Sequence, residues 1–239
     1  MKLKNLMSNP PKPPATTGHD VAAFLEQVAR TPVKVGHKGK GKLIFAIDAT
    51  ASREPTWDTA CQLQAQMFSE TAVLGGLSVQ LCYYRGFNDF YAGPWCDDSA
   101  TLLKLMTGVR CQGGHTQISR VFSHARAEAR AQPIHALVFV GDAMEENPDT
   151  LCNLAGELGL LNLPVFVFQE GNDPMVQSLF QQIARLSGGA YARFDASSAS
   201  QLRQLLAAVA VFAAGGRKAL ADFGKKAGGD VLLLTRQLK

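Results

Sequence analysis

The chain has 239 residues, 46% hydrophobic and 18% charged, a balance that excludes a mostly disordered polymer and supports one full-sized core. Its net charge of +4 sums unlike parts: residues 1–42 carry 8 Lys/Arg and 2 acids, residues 217–239 carry 6 and 2, and residues 43–216 carry 10 and 16. An acidic body with two basic ends excludes a uniformly basic nucleic-acid binder.

Residues 1–18 hold four prolines and no apolar period, and read as an extended leader. Residues 19–30 place Phe24, Leu25 and Val28 at helical spacing, and Pro32 ends that pattern. The Gly- and Lys-rich residues 33–42 read as a connector, so that 1–41 form a basic arm with one short helix. From Leu43 the pattern is regular. LIFAID (43–48) is a continuous apolar run ending in a charge, as in a strand buried on both faces.

A helix is expected over 55–73, with Pro55 in its first turn. Residues 77–84 and 89–95 flank a polar break and read as a hairpin. Helices follow at 99–106 and 117–131, a second apolar strand at 135–142, and a helix at 149–161. A third apolar strand spans 163–169, then a helix 174–186, a short strand 190–194 and a helix 199–214. Alternation of this kind predicts an α/β, doubly wound, mainly parallel sheet with one antiparallel edge strand, over residues 42–214. Residues 215–239 read as a basic extension whose apolar segment 231–238 packs on the body or on a partner.

The five cysteines (Cys61, Cys82, Cys96, Cys111 and Cys152) form no C-x-x-C pair, which argues against a zinc site or disulfide framework. No apolar run of signal-peptide length begins the chain, and the longest apolar stretch, 205–214, falls short of the roughly 20 residues of a membrane span. The expectation is a cytoplasmic protein with reduced thiols and no membrane span.

Three segments collect oxygen ligands at the ends of predicted elements. Asp48, Thr50 and Ser52 follow the first apolar strand, Thr116 follows Gly113-Gly114-His115, and Asp142 ends the second apolar strand. In an open parallel sheet, ligands bind beyond the carboxyl ends of strands where strand order reverses, so Asp48 and Asp142 are expected side by side. Two bare carboxylates there repel unless a cation or proton stands between them. Alternate residues of an extended turn point the same way, so positions 48, 50 and 52 converge. Hard oxygen donors with no soft ligand suit Mg²⁺ or Mn²⁺.

This set resembles the metal-ion-dependent adhesion site of von Willebrand factor A domains, whose motif is D-x-S-x-S, then Thr, then Asp. Asp48, Thr50, Ser52, Thr116 and Asp142 match it in order, with Thr50 keeping the hydroxyl of the family's first Ser. The resemblance covers about residues 42–214 and is nearest to compact bacterial stand-alone members. It implies a binding protein rather than an enzyme, with Mg²⁺ (or Mn²⁺ or Ca²⁺) held by the chain and completed by a partner protein's acidic side chain. Arg53, Glu54, Trp57, His115 and Glu145 are the expected partner contacts, and Glu54, Asp97, Asp98, Glu145 and Glu146 the acids expected around that face.

Two other classes compete. A haloacid-dehalogenase-like, Mg²⁺-dependent phosphohydrolase also has an Asp after its first strand, but it resembles D-x-D, where this chain has Thr50. Neither G-x-G-x-x-G nor G-x-S-x-G occurs in the required place. Nucleic acid is the other partner class, through Lys2, Lys4, Lys12, Lys34, Lys38, Lys40, Lys42, Arg217, Lys218, Lys225 and Lys226, although no aromatic interleaving supports base stacking.

Overall fold

The computed structural model describes residues 18–31, 40–194 and 199–226. The chain runs α1 (Gly18–Arg30), β1 (Gly41–Asp48), α2 (Glu54–Thr71), β2 (Leu77–Arg85), β3 (Asp89–Cys96), α3 (Ser99–Thr107) and α4 (Ile118–Ala131). It continues through β4 (Ala136–Gly141), α5 (Pro148–Leu160), β5 (Val165–Glu170), α6 (Pro174–Ser187), β6 (Tyr191–Phe194) and α7 (Ala199–Lys226). The proline-rich leader, most of the basic connector and the apolar segment 231–238 lie outside the described residues.

The strands form one sheet in the order β3-β2-β1-β4-β5-β6, parallel throughout except for β3. Strand alternation divides the apolar runs between two layers. Leu43, Phe45 and Ile47 of β1 face a layer with Trp57, Met67, Leu102 and Leu205, whereas Ile44 and Ala46 face Phe122, Leu151 and Phe180. β5 divides likewise, with Phe166 and Phe168 on the first side and Val165 and Val167 on the second. The edge strand β3 carries Pro94 and a register shift against Gln80 and Cys82, features that discourage further strand addition.

Helix starts follow local chemistry. Asn147 and Asp173 accept hydrogen bonds from the first turns of α5 and α6, each with proline at the next position, and Asp98 accepts from Thr101 N at 2.8 Å.

The described parts of both ends, α1 and the helix beyond residue 214, pack onto the body. Phe24 and Val28 of α1 are fully buried, and the Phe24 ring meets Phe168 edge-on at 5.3 Å. α7 does not end at residue 214. It continues to Lys226 across a break at Gly216 (φ 69°, ψ −163°), a conformation open to glycine and strained for other residues. Just past that break, the Arg217 guanidinium donates to the Arg30 and Thr31 carbonyl oxygens, covering the C-terminus of α1. By length and hydropathy α7 meets the requirement for a membrane span, but 67% of that window is buried inside the protein, and Leu205, Val209 and Phe212 belong to its core.

Candidate functional site

β1 has β2 on one side and β4 on the other, and the chain leaves these two strands in opposite directions, so the strand order reverses at their carboxyl ends. Ile47 pairs with Val140, which sets Asp48 level with Gly141 and Asp142 one residue beyond. The two carboxylates predicted to be neighbours are neighbours because both parallel strands end at the same height.

Asp48 is 1% exposed. Its Oδ1 accepts the Thr50 amide at 2.7 Å, which curls the segment back over the strand end. Thr50 Oγ1 and Ser52 Oγ lie 3.4 Å apart, and Ser52 Oγ donates to Asp142 Oδ2 at 3.2 Å. Thr50, Ser52 and Asp142 are thus joined through hydroxyls, and Asp48 is tied to them through the Thr50 main-chain amide. The fully buried Tyr84 phenol is close enough to feel the Asp48 charge, yet neither its oxygen nor Asp48 Oδ2 has an aligned hydrogen-bond partner. Burial raises the Asp48 carboxyl above its ordinary 3.8, and repulsion from Asp142 adds to that.

Thr116 reaches the same end of the sheet through its loop. Gln112 N donates to Ala49 O at 3.0 Å, and His115 N to Gly86 O at 3.1 Å. Thr116 and Glu145 bond reciprocally: the Thr116 amide donates to Glu145 Oε2, and the Glu145 amide to Thr116 Oγ1, both at 3.0 Å. Glu145, three residues past Asp142, thus ties the threonine loop to the β4 end, and the Thr116 amide holds its carboxyl below the ordinary 4.5. Among the described residues no direct hydrogen bond joins Thr116 to Asp48, Thr50, Ser52 or Asp142.

The expected partner contacts divide by burial. Glu54, His115 and Glu145 are exposed, and Phe87, 75% exposed at the β2–β3 turn, stands edge-on to the His115 ring at 5.1 Å. Arg53 and Trp57 are corrections to the expectation, with 1% and 3% exposure. The Trp57 indole donates to Met106 O at 3.1 Å inside the core, and Arg53 turns inward towards Asp142 and Glu170.

Asp97 and Asp98 are corrections too. β3 runs antiparallel, with Cys96 opposite Val79, so both acids emerge at the far end of the sheet. There Asp97 pairs with Lys40 at 3.1 Å and Asp98 caps α3. Glu146 is engaged at the start of α4, accepting from the Ile118 and Ser119 amides. Glu170 and Tyr84 join the site without having been expected there. Glu170 ends β5 with an acid, the same signal that marked Asp48 and Asp142, whereas nothing local marks Tyr84.

The donor set fits a hard cation in its chemistry. It offers two carboxylates and three hydroxyls, and Asp48 Oδ2 is a buried oxygen whose near neighbour, the Tyr84 phenol, makes no well-aligned hydrogen bond to it. Among the described residues no group of three or more His, Cys, Asp or Glu stands ready to hold a metal, so the hydroxyls and water would supply the remaining ligands. Of the cations expected at a nucleic acid, three are engaged within the body: Lys40 pairs with Asp97, Lys42 bonds Gln132 and lies over the Trp95 ring, and Arg217 covers α1.

No family model and no curated protein sequence matches the chain. Solved structures match it in shape. A von Willebrand factor type A protein from Catenulispora acidiphila aligns with a TM-score of 0.57 at 14% identity, over 71% of this chain and 42% of that one. The SpRpn10 VWA domain aligns at 0.54 and 13%, over 74% of this chain and 97% of that domain. Proximal thread matrix protein 1 from the mussel byssus aligns at 0.56 and 16%, over 72% and 48%. The chain thus spans less than half of the first and third of these structures. The likeness establishes the architecture: this chain has the fold of von Willebrand factor A domains.

Proposed function

We propose that this protein is a metal-dependent protein-binding scaffold. In this reading Asp48, Thr50, Ser52, Thr116 and Asp142 hold a divalent cation, Mg²⁺ or its substitutes Mn²⁺ and Ca²⁺, and a partner's carboxylate completes its coordination. The observation that carries the reading is the pairing of two carboxylates, the buried Asp48 and Asp142, at the strand-order reversal beside a run of hydroxyls, with the Tyr84 phenol near Asp48. A divalent ion would relieve the repulsion between Asp48 and Asp142 and take the Asp48 oxygen as a ligand.

Domains of this fold generally mediate protein–protein contacts, which supports a binding role over turnover. The exposed Glu54, Phe87, His115 and Glu145 form the rim that a partner would meet. Ser52 donates to Asp142 while the His115 ring faces Glu145, so the two are not set up as a nucleophile and its base. Five free thiols suit the reducing cytoplasm in which the reading places the protein.

Affinity capture of partners with wild type and Asp48→Ala, each with Mg²⁺ and with chelator, tests the proposal. The captured protein is expected with wild type in Mg²⁺ alone. Capture that survives both chelator and the substitution would remove the metal from the function.

A further inference from the structure

Arg53 is among the largest fully buried side chains in the protein. A guanidinium keeps its charge at any physiological pH, so one enclosed this far must stand against carboxylates. It stands against two. Nη1 lies 3.7 Å from Asp142 Oδ2, and Nη2 forms a close ion pair with Glu170 that lacks hydrogen-bond alignment. Glu170 is fixed in turn by the Thr56 hydroxyl, which donates to the same carboxylate oxygen. Arg53 Nε has no hydrogen-bond partner. The wall of the site therefore contains a permanent positive charge shared between Glu170, behind it, and Asp142, within it.

We infer that Arg53 is a resident counter-cation that competes with the divalent ion for Asp142, and that Glu170 limits this competition by drawing the guanidinium back. The inference rests on the metal-binding reading above and adds what sets its affinity. Asp142 Oδ2 faces both Ser52 Oγ and Arg53 Nη1, so an ion drawn to that oxygen meets a like charge close by. In a poorly solvated corner such repulsion is large compared with the same pair in water. The site is consequently weak for the ion alone. An anionic group arriving from a partner offsets the Arg53 charge, so ion and partner bind more firmly together than either does alone.

The test is direct binding of Mn²⁺ to the full chain, followed by calorimetry and by the loss of free-ion electron paramagnetic resonance signal. Arg53→Met is expected to bind Mn²⁺ at least about tenfold more tightly than wild type, and Arg53→Lys, which keeps the charge, much less so. Glu170→Gln frees the guanidinium for Asp142 and is expected to weaken binding several-fold. Because Arg53→Met leaves Glu170 without its counter-charge, the double variant Arg53→Met/Glu170→Gln is the control for folding. It is expected to bind more tightly than Glu170→Gln alone.

Folded Arg53→Met and double variants that bind no more tightly than their parents would overturn the inference, as would a Glu170→Gln that binds more tightly than wild type. Asp48→Ala separates the two readings. If wild type and Asp48→Ala take up Mn²⁺ equally, the metal site itself fails and the role of Arg53 falls with it. If uptake depends on Asp48 but not on Arg53, the role of Arg53 alone is lost.

Discussion

Gly114 lies directly against Gly86: a Cβ on Gly114 would stand 1.9 Å from the Gly86 carbonyl oxygen. This contact, between the loop leading to Thr116 and the β2–β3 turn, is what allows that loop to reach the switch point. Gly114→Ala is expected to destabilise the fold by about 1–3 kcal/mol, since neither backbone can yield without moving its strand or helix. Gly113→Ala is the control, because the space around Gly113 is open, and its effect should stay within about 0.5 kcal/mol. Chemical denaturation of the pair reads the difference.

Asp48 predicts a pH dependence with a definite sign. Its carboxyl is raised above 3.8, chiefly by burial, so the folded protein holds that proton more tightly than the unfolded chain does. Its contribution to stability therefore falls as pH rises from 3.8 through the raised folded value. Asp48→Asn should be more stable than the metal-free wild type near neutral pH, with the gain vanishing in acid below the unfolded value. Wild type but not Asp48→Asn should then gain stability on adding Mg²⁺. Unfolding midpoints across a pH series, with and without the ion, check both statements.

Glu145 clamps Thr116 through its carboxylate. Glu145→Ala should speed hydrogen exchange at the Thr116 amide and weaken Mn²⁺ uptake several-fold, while Glu145→Gln, which retains an acceptor oxygen, should lose less. Unchanged exchange at that amide would show that the Gln112 and His115 backbone bonds and the Gly114–Gly86 contact hold the loop without the Glu145 carboxylate.

The packing of α1 predicts that the N-terminal helix is part of the folding unit. Phe24→Ala should cost about 3–5 kcal/mol, as truncation of a fully buried aromatic does. Arg217→Ala removes the cover over the last carbonyls of α1 and should cost about 1–2 kcal/mol. Denaturation in a single transition for both variants would identify one cooperative body.

Much of this molecule is legible in the chain by itself. Runs such as Leu43–Ile47 or Val165–Phe168 leave no polar face for water, so they can only be central strands covered on both sides. Alternation with amphipathic helices then makes the sheet parallel, and strands that end in Asp48 and Asp142 put two acids at its carboxyl edge. Those features are local or periodic, and one dimension suffices to show them.

Tertiary structure decided the rest. Arg53 reads as a surface charge because charged residues usually are one, and only its position beside both Asp142 and Glu170 makes burial tolerable. Asp97 and Asp98 read as part of the acidic rim until the direction of β3 carries them to the opposite end of the sheet. The basic residue Arg217 reads as part of a C-terminal extension until it reaches the Arg30 and Thr31 carbonyls at the end of α1. In each case the deciding quantity is a distance between residues far apart in sequence. The net charge of +4 therefore conceals buried, paired and bridging charges that only the fold distinguishes.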